Sequence, residues 1–119
     1  MKINIFCSSR YKINRPFIRE VVKNYLKENN IALPENSILN IVFVGKTKMK
    51  QLALKYKKEN EPLPVLTFPL NEDTQEGKIL GEIIICYPSA VLLAAEREKT
   101  VDKIIKFLIE HALDVLFKI

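Results

Sequence analysis

Tryptophan is absent from this 119-residue chain, histidine occurs once and glycine only three times. One imidazole cannot by itself build a three-histidine metal site. The glycines, Gly45, Gly77 and Gly81, stand isolated, so the chain has no glycine-rich phosphate loop. Its two cysteines, Cys7 and Cys86, show no paired spacing and sit in β-type runs. They read as reduced core thiols in a reducing compartment, with a disulfide or a metal pair as the alternative. No apolar run is long enough to span a membrane. The opening Met1–Cys7 has too short an apolar stretch for a signal peptide, and no small-residue cleavage site follows it. We therefore read it as structure, in a soluble, cytoplasmic protein. No serine–histidine–aspartate order and no paired-cysteine motif offers a nucleophile.

What is present is a core. Hydrophobic residues make up 48% of the chain, which suits a packed globular interior rather than disorder. At this length a second core would leave both too small, so residues 1–119 are expected to form a single domain. The net charge of +5 permits attraction to phosphate backbones or acidic surfaces without demanding it.

Hydrophobic periodicity gives the elements. Residues 2–7 alternate as a first strand, with Ile3, Ile5 and Cys7 on one side. Asn14 or Arg15 can cap a helix that has Pro16 at its start, with an apolar stripe through Phe17, Ile18, Val21, Val22, Tyr25 and Leu26. Ile38–Val44 is a β-branched second strand. Thr47–Lys58 forms a second helix, with Met49, Leu52, Ala53 and Tyr56 expected in the core and lysines elsewhere. Val65–Phe68 is a third strand closed by Pro69, followed by a loop over Asn71–Lys78. Ile79–Tyr87 is a fourth strand, apolar enough to be central. Pro88 opens a third helix, and Thr100 caps a last one. The order βαβαββαα predicts an α+β (α/β-like) fold: a mixed four-stranded sheet with helices packed on it. Parallel pairing is expected among the first three strands, with one antiparallel neighbour.

His111 lies on the last helix and shares spacing with Ile104, Leu108 and Val115, so its face is expected to be buried. Two readings stay open: a core histidine satisfied by a carbonyl, or a functional imidazole facing a cleft. Asp114, three residues on, could share a ligand face, and Cys7, Cys86 or Glu82 could join only through the fold. The lysine-rich second helix is either a solvated face or an RNA-backbone contact surface.

The segment Leu52–Pro69 reads LALKYKKENEPLPVLTFP. It resembles, without a gap, the stretch LNxxYRGKDxPTDVLSFP of the YbeY family of rRNA-maturation endoribonucleases. Leu80–Cys86, LGEIIIC, is similar to that family's LGDIVIS strand, and His111 falls where the family places HGxLHLxGxDH. The resemblance implies metal-dependent hydrolysis of single-stranded RNA, with zinc as cofactor and rRNA of the small ribosomal subunit as partner. It assigns catalytic roles to Lys57 and His111, an RNA contact to Lys57 and the metal to His111; the basic composition of the second helix adds Lys55 and Lys58 as RNA contacts, and helical spacing adds Asp114 as a further ligand candidate. The match extends over nearly the whole chain, seen as a YbeY-like domain lacking the family's C-terminal end.

The departures fall on the active site. Of the family's three zinc-binding histidines, at the first, fifth and eleventh motif positions, the first matches His111, the fifth is Val115 and the eleventh would lie beyond Ile119. Ala112 replaces a glycine, and Lys57 replaces an arginine and loses its bidentate fork. Leu63-Pro64 replaces Thr-Asp, and Glu82 replaces an aspartate. The metal site is accordingly expected to be degenerate, with Val115 absorbed into core packing and zinc retained or lost. An active endoribonuclease and a non-catalytic homologue docked on RNA or a ribosomal protein both remain open, as does a truncated reading frame.

Overall fold

The computed structural model describes residues 1–118. Ile119 lies outside the described residues. The elements are β1 (Lys2–Phe6), α1 (Arg15–Glu28), β2 (Ser37–Val44), α2 (Lys46–Lys57), β3 (Val65–Thr74), β4 (Gly77–Cys86), α3 (Tyr87–Glu96) and α4 (Val101–Phe117). The sheet order is β1-β2-β4-β3, so the fold is the α+β arrangement expected.

Local chemistry sets the element ends. The Asn14 side chain accepts from the Phe17 N–H at 3.1 Å, and Pro16 sits in the first turn, where no intrahelical donor is lost. Thr100 caps α4 in the same way, accepting from Lys103 N at 3.2 Å.

Three expectations about the sheet are corrected. β1 and β2 run parallel, but β2 then pairs parallel with β4, and β3 is the outer strand, antiparallel to β4. The second crossover therefore skips a place and leaves β3 at the edge. Pro69 does not close β3, which continues to Thr74 through an irregularity between Pro69 and Glu72. An edge strand tolerates a missing N–H on its open side. Nor is Asn71–Lys78 a loop: it is the tip of a hairpin that turns at Gln75-Glu76, with Thr74 Oγ1 donating to the Gly77 carbonyl at 2.7 Å. Gly77 has φ +144, and a Cβ there would meet the Asn36 carbonyl oxygen at 2.0 Å, so only glycine fits.

The strand period of two splits the core between the two faces. On one face, Ile3, Ile5, Leu39, Ile41, Phe43, Ile83 and Ile85 pack with α1, α3 and α4. On the other, Leu66, Ile84 and Cys86 pack with Met49 of α2 alone. β4 is central and covered on both faces, as its unbroken apolar run predicted. No described helix is long and apolar enough to cross a membrane.

Candidate nucleic-acid interface

α2 carries its charge outward. Lys46, Lys48, Lys50, Lys55, Lys57 and Lys58 are all exposed, while the helix buries only Met49 and Ala53 and half-buries Leu52. Tyr56, expected in the core, is 51% exposed. Its ring instead meets Phe68 of β3 edge-to-face at 5.1 Å, which fixes the end of α2 over the sheet edge. Lys55 Nζ lies 5.1 Å from the centroid of the Tyr56 ring, within cation–π range. Lys57 is the last residue of α2. Lys58 caps the helix in the left-handed conformation, φ 55, with its N–H on the Ala53 carbonyl. The resembled motif carries glycine at that position, the residue for which this backbone is least costly.

His111 is exposed, contrary to the buried face expected for it. Ile104 and Leu108 do enter the core, but Val115 is 46% exposed and so has not been absorbed into packing. The apolar arc of α4 is centred on Ile105, Ile109, Ala112 and Leu113, which turns positions 111 and 115 outward. Asp114 is engaged elsewhere: it accepts from the Tyr25 hydroxyl of α1 at 2.5 Å.

The structure does not gather the sequence-derived candidates at one point. α2, with Lys55 and Lys57, packs on one face of the sheet, and α4, with His111 and Asp114, packs on the other. Both lie against β3, α2 through Tyr56 on Phe68 and α4 directly, so the edge strand separates the two groups. Cys86 is buried beside α2, where Ser89 Oγ donates to its sulfur at 3.2 Å, whereas Cys7 packs against the opposite core. Both are free thiols. Burial pushes the Cys7 thiol above its ordinary range, an effect that Arg15 nearby partly offsets.

These positions do not fit the zinc ion that the resemblance implies. A zinc centre takes three or more nitrogen, sulfur or carboxylate donors converging on one point. Among the described residues no three histidine, cysteine, aspartate or glutamate side chains stand close enough to do so.

Sequence reasoning overlooked a polar row on the α2 face. The register aligns Asn4, Asn40, Glu82 and Phe68 across all four strands, and Asn4 Nδ2 donates to Asn40 Oδ1 at 3.0 Å. Glu82 is half-buried beside a cavity of about 320 Å³ lined also by Leu52, Tyr56, Phe68, Leu70 and Ile84. The available signal was the alternation of polar Asn4 and Asn40 within otherwise apolar strands.

Comparison with known proteins is consistent in direction. Residues 4–114 match the family model described as Endoribonuclease YbeY. A protein named Endoribonuclease YbeY from Dehalococcoides mccartyi strain 195 is 33% identical over an alignment covering 95% of this chain and 74% of its own. Those from Thermodesulfovibrio yellowstonii and Phytoplasma australiense are 33% and 30% identical, over 88% and 93% of this chain and 69% and 75% of theirs. The solution structure of a Thermotoga maritima protein superposes with a TM-score of 0.59 at 22% identity, covering 93% of this chain and 69% of that one, and shares the fold.

Proposed function

Because the chain belongs to the endoribonuclease YbeY family, we propose that it acts on ribosomal RNA during maturation, as a cytoplasmic protein that engages single-stranded RNA of the small subunit. The family match over residues 4–114 carries this reading, since it takes in α2 and most of α4. The exposed Lys55, Lys57 and Lys58 at the end of α2 would hold phosphates, as point charges rather than bidentate forks. His111 would hold or move a proton at the scissile linkage, imidazole being the side chain suited to that at neutral pH. In the family, zinc supplies an activated hydroxide. The donors described here do not fit zinc, so no step of this reading runs through it.

That misfit favours one second reading: a homologue that binds rRNA, or a ribosomal protein beside it, without cutting. Incubation of the purified protein with single-stranded rRNA, with and without chelator, separates the two. Cleavage abolished in His111→Ala supports the first. Salt-dependent binding without cleavage supports the second, and neither binding nor cleavage overturns both. About one zinc per chain by elemental analysis would overturn the misfit and direct attention to donors outside the described residues or on another chain.

A further inference from the structure

Alternate residues of β4 face opposite ways, so Ile83 and Ile85 enter the main core while Glu82, Ile84 and Cys86 face α2. α2 covers that face only in part. It seats Met49 over Leu66, Ile84 and Cys86, and the neighbouring surface is left open, with Phe6 of β1 52% exposed. Within the polar row, Asn4 Nδ2 donates to Asn40 Oδ1, and among the described residues no side-chain donor reaches the Glu82 carboxylate. An acceptor with two free oxygens therefore stands at the wall of a cavity whose other lining side chains are Leu52, Tyr56, Phe68, Leu70 and Ile84.

Such a hollow is complementary to a flat aromatic ring with two adjacent N–H donors on one edge. Among the RNA bases only guanine has that edge, at N1–H and N2–H. Adenine and cytosine set an acceptor beside their single amino group, and uracil flanks its one N–H with carbonyls, so each would place an acceptor against a carboxylate oxygen. Tyr56 and Phe68 supply aromatic surface of the kind on which bases stack, and Lys55, on the Tyr56 ring, supplies a cation for the attached phosphate.

We propose that this cavity is a guanine-binding subsite for single-stranded RNA, with Glu82 reading the base's paired N–H donors, Tyr56 and Phe68 holding its ring and Lys55 near its phosphate. The inference rests on the RNA-binding reading above and deepens it, giving a basic helix a means of choosing sequence.

The test is fluorescence anisotropy with hexauridylates in which one internal residue is replaced by guanosine, adenosine or inosine. Guanosine is expected to bind about tenfold more tightly than adenosine, the discrimination of one good bidentate pair. Inosine, which lacks the 2-amino group, should lose most of that gain. Glu82→Gln, which keeps the shape but loses the paired acceptor oxygens, should erase the guanosine preference. Equal affinities for the three oligomers, or a preference that survives Glu82→Gln, would overturn the subsite but leave the RNA-binding reading standing. No binding of any oligomer at low salt would overturn both. Should Glu82→Gln fold poorly, the guanosine–inosine comparison in the wild type still decides.

Discussion

The hydroxyl of Tyr25 on α1 donates to Asp114 Oδ1 on α4 across 2.5 Å, joining the first helix to the last through residues 89 apart in the chain. Tyr25 is buried, and Asp114 is half-buried at the rim of the larger core. Burial first, then the bond to Asp114 and the negative charges of Asp114 and Glu110, push the phenol well above its ordinary range. The bond occupies one oxygen of the carboxylate that sequence spacing offers to His111.

This bond fixes an alkaline limit. A folded-state pKa above the unfolded value, about 10 for a phenol, contributes stability that is complete below that pH and is lost as pH rises toward the folded value. Denaturant unfolding of the wild type should therefore weaken above about pH 10, and Tyr25→Phe should weaken less steeply there. Near pH 7 the same variant should be less stable by about 1–2 kcal/mol, a charged hydrogen bond discounted for the partial exposure of Asp114. Identical pH profiles for the two proteins would show that the bond does not govern the phenol.

Lys58 offers a gain of stability. A residue with a Cβ pays for left-handed backbone that glycine adopts freely, and Lys58 has φ 55 at the helix C-cap. Lys58→Gly should stabilise the fold by about 0.5–1 kcal/mol in chemical denaturation. The same change should weaken single-stranded RNA binding if Lys58 contacts phosphate. A stability loss would mean that the lysine stem makes packing contacts worth more than the strain.

How far the sequence reveals these features depends on which are local. Helix caps at Asn14 and Thr100, the apolar stripe of α1 and the central place of β4 follow from neighbours within a turn or a strand, and the structure agrees with them. Strand order does not follow locally. That β3 stands outside β4 depends on which pairing buries more surface, and Pro69 within β3 is acceptable only because that strand is an edge. The outward facing of His111 and Val115 does not follow from helical spacing, which names residues that share a face without saying which face meets the core. Ile105, Ile109, Ala112 and Leu113 compete for that role and occupy it. The Asn4–Asn40–Glu82 row required register across three strands, which no single segment encodes.

The outward facing of α4 makes a metal site recoverable. Val115 stands four residues after His111, where the resembled motif has its second histidine, and both side chains are exposed. Val115→His should change stability without metal by no more than about 0.5 kcal/mol, since little packing is lost. Added zinc should then stabilise the variant but not the wild type, by about 2.7 kcal/mol at a hundredfold excess over Kd. Thermal melts with and without zinc measure this. An unresponsive variant would show that positions 111 and 115 do not present nitrogens to a common point.

Lys57 decides whether the end of α2 holds RNA by charge alone. As the last residue of α2 it is exposed, and its ammonium also interacts favourably with the helix C-terminus. Lys57→Ala should lower affinity for single-stranded RNA uniformly across sequences. It should also reduce the slope of log K against log salt by about 0.7, the signature of one lost phosphate contact on a single strand. Lys57→Arg keeps the charge and adds the planar fork found at this position in the resembled motif, so it should retain the slope and tighten binding. Binding titrations at several salt concentrations distinguish these outcomes. An unchanged slope in Lys57→Ala would remove Lys57 from the interface and leave Lys55, beside the Glu82 cavity, as the nearer cation to the bound strand.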